Sequence, residues 1–141
     1  MATLTQAPYA DLHSVSYAIP VRPGRTQEWL ETVLRQSSNW NAEIRPTVSA
    51  SNSATMLASV LDELQVSALP HLAPSVGGGL QFEYRGLQPH GPRRELDIEI
   101  LPDGRFGYLM AEAENMDSRD LPRASLPNVV PHLIAWVFRS R

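Results

Sequence analysis

From Leu80 to Met110 the sequence alternates apolar and polar residues with a period of two. Leu80, Phe82 and Tyr84 fall on one side, Gln81, Glu83 and Arg85 on the other. Leu96, Ile98 and Ile100 alternate in the same way with Glu95, Asp97 and Glu99, and Phe106, Tyr108 and Met110 continue the apolar set. That period belongs to a β-strand with one wet face; a helix repeats every 3.6 residues. Pro102-Asp103-Gly104 supplies a tight turn in which glycine takes a positive φ. Residues 86–92 (GLQPHGP) form the other connection. The pattern predicts a three-stranded antiparallel meander over 80–111, packed on one face and solvated on the other.

Helical signals flank the meander. Thr26 is positioned to cap a helix over 27–36, with Trp29, Leu30, Val33 and Leu34 on one stripe. Glu28 and Glu31 near its start and Arg35 near its end suit the helix dipole. A polar loop, 37–52, contains Trp40 and ends at Ser51 or Asn52, either able to cap a helix over 53–65. There Ala54, Leu57, Ala58, Leu61 and Leu64 recur at helical spacing. Pro70 and Pro74 then carry the chain on in extended form. Residues 112–124 read as a polar loop. A last helix is expected over 128–138, with Pro131 in its first turn. Its apolar residues run nearly all round, so it should be buried or half-covered by another chain. Residues 15–21 alternate as an edge strand limited by Pro20, and 1–14 read as an N-terminal arm. The expectation is a single α+β domain over 15–141. A three- to four-stranded antiparallel sheet would carry three helices packed mainly on one face.

Composition removes several chemistries. All 12 basic residues are arginine, and the chain has neither lysine nor cysteine. Schiff bases, P-loop lysines, cysteine nucleophiles, thiolate zinc sites and disulfides are therefore excluded. A net charge of −3 argues against a broad nucleic-acid surface. No run of 18 apolar residues suggests a membrane span, and the N-terminal sequence lacks a secretory signal layout, so a cytoplasmic protein is expected.

The same sheet that fixes the fold offers the main candidate for chemistry. Glu83, Glu95, Asp97 and Glu99 share the outward face, where alternate residues lie about 7 Å apart and two or three of them could share a metal. Arg85 and Arg105 are placed to neutralise them across strands. A solvated charged face or a docking surface for a basic partner uses the same residues. His13, His71, His90 and His132 show no ligand spacing. Gly77-Gly78-Gly79 leads into a strand, whereas a phosphate cradle needs a helix N-terminus. No G-x-S-x-G elbow occurs.

A longer pattern is set by Asn39-Trp40-Asn41, the helix Ser53–Leu64, Pro74, the strand from Gly78-Gly79-Leu80 to Tyr84, Arg94–Ile100, Pro102-Asp103-Gly104 and Tyr108-Leu109. Over about residues 39–111 it resembles a group of small bacterial α+β proteins with no established activity. The group more often has Trp-Asp-Gly where this chain has Trp40-Asn41-Ala42. The resemblance implies the fold and no particular function.

With no convergent catalytic set and no cofactor or metal expected, the sequence points to a non-enzymatic protein–protein interaction module. An accessory subunit or an antitoxin-like neutraliser fits, as does a homo-oligomer. Trp40, Trp136 and Phe138 are the candidate apolar anchors, Arg93 and Arg94 the charged rim. The alternatives are a metal-dependent hydrolase or nuclease using Glu83, Asp97 and Glu99, and a nucleic-acid-binding accessory protein using Arg93, Arg94, Arg139 and Arg141.

Overall fold

The computed structural model describes residues 25–86 and 88–139. The expected arm over 1–14, the edge strand over 15–21, His13 and Arg141 lie outside the described residues. The elements run α1 (Arg25–Gln36), α2 (Val48–Glu63), β1 (His71–Ser75), β2 (Gly79–Arg85), β3 (Arg94–Ile100), β4 (Phe106–Glu112), β5 (Asn115–Leu121) and α3 (Leu126–Phe138). Single 3-10 turns at Ser37–Asn39 and Arg123–Ser125 follow α1 and precede α3. The fold is α+β, and among the described residues the sheet has five antiparallel strands in the order β1-β2-β3-β4-β5, more than the three or four expected.

Both additional strands are edges. β1 contains Pro74, which lacks an N–H and is tolerated where no further strand must be paired. β5 is NMDSRDL, exposed from Asn115 to Asp120 and only half-buried at Leu121. The segment expected to be a loop is a strand because β4 offers a pairing edge and a two-residue turn, Ala113-Glu114, brings the chain back. Ala113 takes a φ of +55° there.

The meander stands in the expected phase. Leu80, Phe82, Tyr84, Leu96, Ile98, Ile100 and Phe106 are buried on one face; Tyr108 and Met110 are half-buried beside them. α2 and α3 cover that face, and α2 lies between α1 and α3. Ala50, Ser53, Ala54 and Ala58 of α2 are fully buried, and their small side chains admit close packing. Leu126, Val130, Leu133, Ile134 and Val137 of α3 complete the core, while Val129, Trp136 and Phe138 are half-buried against it. The intramolecular core therefore absorbs most of the apolar circumference of α3. No helix among the described residues is long and apolar enough to cross a membrane.

Helix ends differ from expectation for local reasons. α2 begins at Val48, five residues before the predicted start, because Thr47 is the cap: its hydroxyl accepts from the Ala50 amide at 3.0 Å. The same hydroxyl donates to the Pro102 carbonyl at 2.6 Å, tying the helix start to the β3–β4 turn. α2 ends with Gln65 left-handed at φ +55°, the Val66 amide reaching Leu61 O and the Gln65 amide Asp62 O. This is a Schellman closure built without glycine. α1 starts at Arg25, so Thr26 is inside the helix and is not its cap. Asp62 of α2 does that work, its two carboxylate oxygens accepting from the Thr26 and Gln27 amides at 2.8 and 3.0 Å. A cap supplied from a distant helix leaves no local sequence signal. Val76, Gly77 and Gly78 form the β1–β2 turn and Gly79 opens β2; the turn is held where the Gly77 amide donates to Glu43 O and Gly78 O accepts from the Thr47 amide.

Candidate interaction surfaces

At one end of the sheet the carboxyl terminus of α3 meets the start of β3. Its last carbonyls need donors, and its dipole favours cations there. Arg94 supplies both: Nη1 donates to Trp136 O at 2.8 Å, and Nε donates to Glu112 Oε2 at 3.2 Å on neighbouring β4. Its guanidinium lies 5.2 Å from the Trp136 ring centroid, within cation–π range. Gln88 in the β2–β3 loop donates to the carbonyls of Val137 and Arg139 at 2.9 and 3.0 Å. Its own carbonyl accepts from the Arg94 amide at 3.0 Å. Phe138 packs edge-on against Tyr84, with ring centroids 5.6 Å apart.

Three of the five nominated partner-binding residues, Arg94, Trp136 and Phe138, are thus brought together, and their visible partners are intramolecular. Arg93 is adjacent and exposed. Trp40 is not with them. It is half-buried against the core, and its carbonyl accepts from Arg45 Nη2 at 2.9 Å. The segment containing it is tied to the β1–β2 and β3–β4 turns, at the other end of seven-residue strands about 20 Å long. Gln88 had no sequence signal, because its role depends on a helix end that lies 49 residues away.

The opposite sheet face is crossed by registered rows. His71, Glu83, Asp97, Leu109 and Ser118 form one row from β1 to β5. On one side of it Arg85, Glu95, Ala111 and Met116 are aligned; on the other, Ala73, Gln81, Glu99, Gly107 and Asp120. α2 and α3 pack on the other face and α1 packs on α2, so no described helix covers these rows. Partial burial pushes the Asp97 carboxyl above its ordinary value, reinforced by the negative charges of Glu83 and Glu95 and opposed by Arg85. Arg85 is directly opposite Glu95, as a neutralising role requires. Arg105 lies in the β3–β4 turn, where its Nε donates to Asp103 Oδ2 at 2.8 Å, and it also interacts with the charge of Asp120. Met116 remains 67 % exposed.

Glu83 and Asp97 are direct cross-strand neighbours, with Glu99 one position further along the face. Among the described residues no three His, Asp or Glu side chains are grouped so as to hold a metal ion. His71 lies at the sheet edge opposite Glu83, and His90 and His132 are exposed elsewhere. No family model, curated protein or solved structure matches the chain.

Proposed function

We propose that the chain is a non-enzymatic protein-binding module, an accessory subunit or neutraliser. In this reading it docks a basic partner on the sheet face opposite its helices. The observation that carries the reading is the two-layer architecture itself. Every described helix is on one side, and the other presents Glu83, Glu95, Asp97, Glu99 and Asp120 around Leu109, Ala111 and Met116. An apolar strip within a predominantly acidic field, relieved at Arg85, is the composition of a steered interface: the charges set approach and register, the apolar centre supplies burial. Arg94, Trp136 and Phe138 make intramolecular contacts at the end of α3, so the reading rests on the sheet face rather than on these residues.

The test uses the full chain and a Glu95→Arg/Glu99→Arg variant as bait in extracts of the native host. Captured proteins are identified, purified and titrated by calorimetry. The expected result is a basic partner bound in a salt-dependent manner, at least about tenfold weaker to the variant and unchanged by Arg93→Ala. Equal affinity for wild type and the sheet variant would overturn the assignment to this face.

A further inference from the structure

β5 presents an open edge whose charges exclude most strands and fit one. All residues from Asn115 to Asp120 are exposed, and among the described residues no element pairs with the far side of the strand. The two-residue turn at 113–114 makes Glu112 and Asn115 the hydrogen-bonded pair closing the hairpin. Alternation then turns the backbone groups of Asn115, Asp117 and Arg119 toward β4. Those of Met116, Ser118 and Asp120 are turned outward. These outward groups are a template for a further antiparallel strand.

We infer that the strand it takes is β5 of a second copy of this chain, paired about a two-fold axis through Ser118. In that register Ser118 faces Ser118 of the second copy, and Met116 faces Asp120, each an outward-pointing residue, so every free amide and carbonyl of the edge finds a partner. Asp117 then faces Arg119 of the other copy and Arg119 faces Asp117, on the face that carries the helices. A generic strand would leave both charges opposite apolar or like-charged groups, which opposes pairing. The other edge has no such capacity, since β1 is five residues long and lacks a donor at Pro74. The product is a continuous ten-stranded sheet with a closed, isologous interface. Its test is separable from that of the acidic face, because Asp117 and Arg119 are not on that face, although Met116 and Asp120 are.

The charge pattern makes the test reciprocal. Sedimentation equilibrium of the full chain, to about 1 mM, is expected to show a monomer–dimer equilibrium. Asp117→Arg or Arg119→Asp alone replaces two opposite-charge pairs with two like-charge pairs and should weaken dimerisation by about 10–100-fold. The double swap Asp117→Arg/Arg119→Asp should restore it. Mixing the two single variants should give a heterodimer, which no general loss of folding could produce. Because the chain has no cysteine, Ser118→Cys should form a disulfide-linked dimer on mild oxidation. A wild-type chain monomeric throughout, a dimer indifferent to the single substitutions, or failure of both swap and mixing to restore association would each overturn the proposal.

Discussion

Replacing Arg94 by alanine separates a structural clamp from a partner contact. In the folded chain the Arg94 side chain is 13 % exposed and that of Glu112 26 % exposed, so neither charge is fully screened. Three interactions are lost together. The charge-assisted hydrogen bond to Trp136 O, 2.8 Å long, is of a kind that contributes about 1.5–3 kcal/mol. The partly exposed ion pair with Glu112 adds about 0.5–1 kcal/mol after screening. The contact with the Trp136 ring adds about 0.5–1 kcal/mol. They share one guanidinium and do not add in full, so the expected loss is about 2–4 kcal/mol. Urea denaturation followed by far-UV circular dichroism measures it. Arg94→Lys retains the charge but cannot reach Glu112 and Trp136 O as a planar fork, so it should recover less than half of the loss. A loss below about 0.5 kcal/mol for Arg94→Ala would refute the clamp, since a solvent-facing rim residue behaves that way.

Three other outcomes follow from the helix ends and the sheet. Asp62→Ala removes both acceptors at the start of α1 and should destabilise by about 2–4 kcal/mol, with Asp62→Asn intermediate; calorimetric unfolding that left Tm unchanged would refute the inter-helix cap. Gln65→Gly relieves a left-handed non-glycine residue and should stabilise by about 0.5–1 kcal/mol, read as a shift in the urea midpoint. Asp97 has a raised folded value and an unfolded value near 3.8, so the folded chain binds more protons between them. Its ionisation therefore opposes folding: its contribution is most favourable below 3.8 and is lost as pH rises through the folded value. Asp97→Asn should flatten this decline and raise stability at neutral pH, whereas stability–pH curves for the two chains that ran parallel would contradict it.

The meander was legible because Leu80 to Met110 must write its burial into every second residue. The helix cores were legible for the equivalent reason at a period of 3.6. What sequence did not show were elements whose reason to exist is elsewhere in the chain. β5 buries almost nothing, so NMDSRDL has no alternation to read; it is a strand because β4 needs a partner. The first amides of α1 find their acceptors on Asp62, in another helix. α2 reaches back to Val48 through a serine-rich turn that looked polar, although Ser53 is fully buried between the Gly104 carbonyl, 2.6 Å away, and Arg123 Nε, 2.7 Å away. The candidate interaction surface divides in the same way. Its acidic residues were visible as alternating outward positions. The pairing of Arg94 with the end of α3 was not, because 42 residues separate Arg94 from Trp136.

The absence of lysine acquires a physical meaning in this setting. At sequence level it only subtracts mechanisms. In the folded chain, two of the arginines make contacts that a lysine could not reproduce. Arg94 spans a carboxylate on β4 and a carbonyl at the end of α3. Arg123 donates through Nε to Ser53 and through Nη2 to Ser49 O at 3.3 Å, joining the turn before α3 to α2. Each joins two elements through separate nitrogens of one rigid plane, a geometry that an ammonium on a flexible stem does not hold. Both lie at the ends of α3, one before its first turn and one after its last. The terminal helix is thus held against the sheet by apolar packing along its length and by an arginine fork at each end. That arrangement fixes α3 at both of its ends.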